Sequence, residues 1–163
     1  ERQTEHKYKS SYERIGKAVL KYSSLPKMDV TNFFELVLFS WLTGNNDMHL
    51  KNFSLYEAAD KIRLTPAYDL LNAAIINPKD DEELALTLNG RKKKLQREDF
   101  IKSAVTLDIE NVIVERLINK YIKLLPKFEA VIQSSFLSAE LKEKYGELLK
   151  ERVERLSTNA TKR

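Results

Sequence analysis

Residues 33–52, FFELVLFSWLTGNNDMHLKN, pass from an almost wholly apolar run to a polar loop. Apolar side chains on nearly every side of the first part predict a helix that lies in the middle of a domain. We expect Asp29 or Thr31 to cap the start of this helix, because short polar side chains accept hydrogen bonds from a first helical turn. Gly44 and the asparagines after it predict the end of the helix, since both residue types tolerate left-handed backbone.

Periodic patterns on either side of this segment predict four more helices and two short hairpins. The helices are predicted over residues 8–22, 97–105, 109–132 and 139–156, with a kink or a split at Pro126. The hairpins are predicted from residues 53–56 with 62–64, and from residues 84–88 with 92–95 around the turn pair Asn89-Gly90. These elements make a mainly α fold (α+β) over residues 1–156, followed by a disordered tail over residues 157–163.

The composition indicates a globular chain. Hydrophobic residues make up 42% and charged residues 32% of the 163 positions, which excludes an intrinsically disordered chain. No apolar run approaches the roughly 20 residues that a membrane-spanning helix needs, so we expect a soluble protein with no membrane contact. The chain has no cysteine, which excludes disulfides and thiolate metal sites and permits a cytoplasmic location.

Three oxygen-bearing side chains have the spacing that phosphoryl transfer requires. Asn52 follows Asp47 by five residues, and Asp69 follows the first predicted hairpin. Because an antiparallel hairpin returns the chain to its starting point, we expect Asn52 and Asp69 to lie at one end of it and to reach one Mg²⁺ ion. Asp47 has the offset of a carboxylate that accepts the proton of an attacking hydroxyl, and His49 or Lys51 is placed to offer charge or a hydrogen bond to the phosphoryl group.

The same residues carry a resemblance to a known family. The pattern D-x-H-x-K-N-F-S from Asp47, followed by L-T-P-x-Y-D ending at Asp69, resembles the signature of the HipA-type toxin kinases of bacterial toxin–antitoxin modules. The resemblance implies the helical C-terminal lobe of a protein-kinase-like fold. It also implies that Asp47 is the catalytic base, that Asn52 and Asp69 bind magnesium and ATP, and that the product is a phosphorylated Ser or Thr of a protein. Family substrates include tRNA-charging enzymes, and the family partner is a helix-turn-helix antitoxin.

The sequence departs from the wider kinase pattern at several points. Asn45-Asn46 stand where most kinases have His-Arg, and Leu70-Leu71 follow Asp69 where they have Phe-Gly. The four glycines are too far apart for a phosphate-binding loop, which in the family lies in an N-terminal lobe together with the ATP lysine. We therefore expect the chain to need that lobe, in cis or in trans, and to transfer little phosphate alone.

Two other functions fit parts of the sequence. A catalytically silent pseudokinase, or a module that binds an antitoxin or a partner lobe, is consistent with the missing glycine loop. A nucleic-acid-binding domain is consistent with the basic run at residues 90–94 and with Arg97, although a solvated hairpin tip explains the same run. The net charge of +4 does not decide between these alternatives.

Overall fold

The computed structural model describes residues 6–77 and 80–158, and it confirms a mainly α fold with little sheet. The helices are α1 Tyr12–Tyr22, α2 Pro26–Thr43, α3 Arg97–Thr106, α4 Asn111–Ser134 and α5 Ala139–Ser157. The strands are β1 Leu55–Ala58 and β2 Lys61–Leu64, and two 3-10 turns cover His6–Tyr8 and Leu50–Asn52. Of the predicted tail, Ser157 ends α5, and residues 159–163 lie outside the described residues.

Helix α2 forms the centre of the core, as its apolar circumference predicts. Phe33, Phe34 and Trp41 are at most 1% exposed, and α1 and α5 both pack against this helix. Burying an aromatic side chain of this size stabilises the fold by roughly 1.5–3 kcal/mol, so the helix is held by tertiary packing more than by its own propensity. Among the described helices, none is long and apolar enough to cross a bilayer.

The predicted caps of α2 were wrong. The helix begins at Pro26, which lacks the N–H group that a first helical residue leaves unpaired, and the Thr31 hydroxyl donates to the carbonyl of Lys27 inside the helix. The buried Asp29 carboxylate instead accepts hydrogen bonds of 3.0–3.2 Å from the Arg63 guanidinium, and one of 2.9 Å from the backbone N–H of Leu64. Asp29 therefore anchors the β1–β2 hairpin to α2.

The first hairpin forms in the predicted place, two residues later in its first strand. Strands β1 and β2 pair antiparallel, from Leu55 opposite Leu64 to Ala58 opposite Lys61. This register returns the chain from the end of β2 to the residues that precede β1. Thr65 continues the closure, because its N–H donates to the carbonyl of Ser54 at 3.0 Å.

The second predicted hairpin is only a turn. Asn89 and Gly90 have φ of 49° and 75°, the signs that a type I′ turn needs, and Leu88 pairs with Arg91 in an isolated bridge. Within the described residues no strand continues from this bridge. The alternating leucines are buried in the helical core instead, and Thr87 pairs with Ser11 near the start of α1. Burial of these leucines, rather than strand pairing, shapes the segment.

Helix α4 contains Pro126 without being split. A proline inside a helix removes one backbone hydrogen bond and crowds the preceding turn. Aromatic side chains pack on either side of this position, with Tyr121 and Phe128 both against Phe39 of α2 at ring separations of 5.9 and 6.3 Å. Contacts with α2 on both sides of the proline therefore hold one continuous helix.

Candidate active site

The loop after α2 begins at a glycine that no other residue can easily replace. Gly44 has a φ of +82°, and its N–H closes the last turn of α2. A Cβ built on Gly44 would lie 2.5 Å from the side-chain oxygen of Asn72, which belongs to the loop after β2. The two loops are also joined through the backbone, since Ala74 donates to the Gly44 carbonyl at 3.1 Å. The sequence prediction of a helix end at Gly44 is confirmed.

Asn52 and Asp69 lie in direct contact, as closure of the hairpin predicts. The Asn52 side-chain amide donates to the Asp69 carboxylate at 2.5 Å. The oxygen of that amide accepts the backbone N–H of His49 at 2.9 Å, so the buried Asn52 side chain has a defined orientation. Asp69 is exposed and has a φ of +57°, a left-handed backbone conformation that aspartate tolerates better than most residues.

One asparagine ties Asp47 to this pair. The Asn45 side chain accepts the backbone N–H of Asp47 at 3.3 Å and donates to the carbonyl of Asp69 at 3.0 Å. The loop is also anchored to α1, where the buried Tyr12 hydroxyl donates to the carbonyl of Met48 at 2.9 Å. Helix α1, the loop after α2 and the loop after β2 therefore form one polar cluster around three oxygen-bearing side chains.

The carboxylate of Asp47 faces a cleft of about 490 Å³. Its Oδ1 accepts a hydrogen bond of 2.7 Å from the hydroxyl of Tyr8. The cleft is lined by polar side chains that include Asn46, Asp80, Glu82 and Lys92.

His49 and Lys51 occupy different surroundings. His49 is buried, its ring meets the Tyr8 ring edge to face at 5.4 Å, and its Nδ1 has no hydrogen-bond partner among the described residues. Lys51 is exposed, and its carbonyl accepts the Tyr68 hydroxyl at 2.8 Å. In the described part of the chain neither side chain hydrogen-bonds to Asp47, Asn52 or Asp69. The structure therefore gathers the three oxygen-bearing residues more closely than the two basic ones.

Sequence reasoning missed Tyr8, Asn45 and Asn72. Tyr8 was predicted as an apolar position of a helix over residues 8–22, but α1 begins at Tyr12 and Tyr8 closes a separate 3-10 turn. Its partner is 39 residues away, and no local pattern points to that contact. The paired asparagines at 45 and 46 carried a signal, because amides that both donate and accept commonly join loops.

The oxygen donors of the cluster suit a magnesium ion in type. The described residues contain no group of three His, Cys, Asp or Glu that could hold a metal by themselves. Asp69 presents a carboxylate beside the amide nitrogen of Asn52, while the Asn52 oxygen accepts the His49 N–H, so that oxygen reaches a shared ion only after the amide turns. Mg²⁺ takes hard oxygen ligands, keeps several waters and is usually held by one or two protein groups plus phosphates, so the donor types of this pair suit it.

Comparison with known proteins places the chain in a family. A sequence model of the HipA-like C-terminal domain matches residues 1–128. A protein named "Putative kinase" from Haemophilus influenzae is 26% identical, over 78% of this chain and 42% of that protein. One named "Putative kinase Y4dM" from Sinorhizobium fredii is 34% identical, over 68% of this chain and 27% of that protein.

The fold agrees with these relatives. A chain of the Shewanella oneidensis MR-1 toxin–antitoxin complex of HipA, HipB and operator DNA matches with a TM-score of 0.75, over 89% of this chain and 35% of that chain, at 20% identity. The fold is thus the kinase-like fold of HipA. The chain belongs to the HipA-like C-terminal domain family. It spans less than half the length of these relatives.

Proposed function

We propose that this chain is the C-terminal lobe of a HipA-like serine/threonine protein kinase that transfers the γ-phosphate of ATP to a protein. The contact between Asn52 and Asp69, tied to Asp47 through Asn45, carries the proposal. It gathers an amide and a carboxylate, groups of the types that suit Mg²⁺, in the same polar cluster as a second carboxylate that faces a cleft. Phosphoryl transfer by kinases depends on this kind of positioning more than on covalent chemistry.

Each residue of the cluster has a distinct role in the proposal. Asp47 accepts the proton of the substrate hydroxyl while the oxygen of that hydroxyl bonds to the γ-phosphorus of ATP. The bond between the γ-phosphorus and the β-phosphate oxygen breaks at the same time, which releases ADP. Asn52 and Asp69 would hold magnesium, with the Asn52 amide turned so that its oxygen faces the ion, and the ion would neutralise charge on the phosphates. Exposed Lys51 offers positive charge to the transferring group. His49 packs edge to face against Tyr8, and its Nδ1, which has no hydrogen-bond partner among the described residues, offers a hydrogen bond to the phosphoryl group.

The nucleotide-phosphate loop belongs to a part of the kinase outside this chain. The relatives named as kinases are at least twice as long as the region that matches, and the glycines here form no such loop. We propose that an N-terminal lobe supplies it, in cis or in trans. The chain alone then binds ATP weakly. The catalytically silent alternative is favoured by the same missing loop, and it predicts no transfer even when the lobe is supplied.

We also propose partners of the kind that the toxin–antitoxin neighbour suggests. These are a helix-turn-helix antitoxin in the cytoplasm and a protein substrate such as a tRNA-charging enzyme. Direct nucleic-acid contact through the basic run receives less support. Lys92 pairs with Glu82 at 3.0 Å and Lys93 with Asp81 at 2.5 Å, which neutralises part of its charge.

Substitution of the base tests the proposal directly. In the protein completed by its N-terminal lobe, Asp47→Asn is expected to lower the transfer of labelled γ-phosphate to protein by about 10²–10⁴-fold, the usual contribution of a general base. Asp69→Asn is expected to lower it as well, by weakening the magnesium site. Asp60→Asn is the matched control, because Asp60 lies in the exposed β1–β2 turn with a φ of 59° that asparagine tolerates. Full activity of Asp47→Asn, at an unchanged melting temperature, contradicts the assignment.

A further inference from the structure

A tyrosine from the start of the described chain touches the proposed catalytic carboxylate. Tyr8 ends the 3-10 turn His6–Tyr8, and its hydroxyl donates to Asp47 Oδ1 at 2.7 Å. The two residues are 39 positions apart in sequence. A phenol that donates to a carboxylate makes a hydrogen bond of the stronger, charge-assisted kind.

The ring of Tyr8 is held from two sides before it reaches Asp47. It meets the buried His49 ring edge to face, with centroids 5.4 Å apart and planes at 80°. The ammonium of Lys7 lies 4.8 Å from the centre of the Tyr8 ring. The whole turn packs on the 3-10 turn Leu50–Asn52. Tyr8 is 39% exposed, and these contacts orient its ring so that the hydroxyl meets Asp47.

Asp47 depends on this donor for its orientation. Among residues 6–77 and 80–158, Tyr8 is the one group that hydrogen-bonds to the Asp47 carboxylate, while Asn45 holds only the Asp47 backbone N–H. Without the phenol, the carboxylate is free to rotate about both side-chain torsions. The bond uses Oδ1 and leaves Oδ2 for a second partner.

The space beside Asp47 indicates that Tyr8 positions the Asp47 carboxylate and does not block it. Tyr8 and Asp47 both line the space of about 490 Å³, so room remains next to the carboxylate while the hydrogen bond is made. The pKa of Tyr8 is raised, first by burial and then by its hydrogen bond with Asp47. The phenol therefore keeps its proton and stays a donor at neutral pH.

We propose that Tyr8 is a positioning residue of the active site, whose O–H bond to Asp47 Oδ1 directs the other carboxylate oxygen toward the attacking hydroxyl. This inference rests on the proposed kinase function and adds a residue to it. Removal of the Tyr8 hydroxyl leaves the Asp47 carboxylate in place but without a fixed orientation. We therefore expect the chemical step to slow and the affinity for nucleotide to stay unchanged.

The test is Tyr8→Phe in the protein completed by its N-terminal lobe. We expect kcat to fall about tenfold, the usual effect of losing one charge-assisted hydrogen bond, with KM for ATP changed less than about twofold. Tyr22→Phe is the matched control, because Tyr22 is 53% exposed at the end of α1. In an Asp47→Asn background, Tyr8→Phe is expected to cause no further loss, since the two residues act together.

The outcomes separate this inference from the function on which it rests. Unchanged or increased kcat in Tyr8→Phe, with Asp47→Asn inactive, overturns the positioning role and leaves the kinase assignment standing. Retained activity of Asp47→Asn overturns the kinase assignment itself. An equal loss in Tyr22→Phe also overturns the positioning role.

The contact between Tyr8 and Asp47 can also be measured on this chain alone, by a method that does not depend on enzymatic activity. With tyrosines labelled at Cζ with carbon-13, the Tyr8 signal is identified by its loss in Tyr8→Phe. We expect its titration to move to lower pH in Asp47→Asn, because the variant removes a negative charge that favours the protonated phenol. A titration that stays in place shows that the bond is not made and overturns the inference.

Discussion

Replacement of Gly44 by alanine separates two costs that the structure assigns to one residue. The left-handed backbone at φ +82° disfavours any side chain by roughly 1–2 kcal/mol. The new Cβ also lies 2.5 Å from Asn72 Oδ1 and 2.8 Å from its Cγ, an overlap that forces one loop to move. Overpacking of this kind costs roughly 1–3 kcal/mol, so we expect Gly44→Ala to lower the free energy of unfolding by about 2–5 kcal/mol.

Gly90→Ala is the control that carries only the backbone cost. Gly90 has a φ of +75°, and a Cβ built on it meets nothing within 4 Å. We expect this variant to lose about 1–2 kcal/mol, measured by urea unfolding followed by circular dichroism. The difference between the two variants, about 1–3 kcal/mol, then reports the overlap with Asn72.

A double variant tests the named cause of that difference. Asn72→Ala removes the overlapping atoms, together with the hydrogen bond of 3.1 Å from the Ile75 N–H to the Asn72 side chain. In the Asn72→Ala background, Gly44→Ala is expected to cost no more than Gly90→Ala does. Equal losses of stability in Gly44→Ala and Gly90→Ala, both in the wild-type background, would show that a Cβ at position 44 does not overlap with Asn72. That result would refute the reasoning.

Two further predictions concern a buried acid and a glycine inside a helix. Burial alone would raise the pKa of Asp29, but hydrogen bonds from Arg63 and Ser23 outweigh it and lower the pKa below its ordinary value. The stability that Asp29 contributes is therefore present above about pH 4 and is lost as the pH falls through the pKa of Asp29 in the folded protein. In urea unfolding from about pH 2 to 7, we expect the free energy of unfolding to fall less steeply at low pH in Asp29→Asn than in the wild type. Gly146 lies inside α5 with open space where a Cβ would be, so Gly146→Ala is expected to stabilise by roughly 0.5–1 kcal/mol, and a lower unfolding midpoint would contradict this.

The amino-acid sequence by itself determined the features that depend on neighbouring residues. The apolar circumference of α2, its end at Gly44 and the type I′ signs at Asn89-Gly90 follow from local sterics and periodicity. The contact between Asn52 and Asp69 was also predictable, because the hairpin between them is short and its closure is a matter of strand geometry.

Only the tertiary structure decided which distant groups meet. Asp29 is a residue of the type that caps helices, but the fold brings Arg63 to it and makes it an anchor for the hairpin. The leucines near Asn89 alternate as in a strand, but the helices provide a core that buries them without one. Tyr8 reaches Asp47 across 39 residues because the turn before α1 packs on the turn that precedes β1. Local patterns record the preferences of the backbone, whereas these contacts depend on the relative placement of packed elements, which no window of sequence contains.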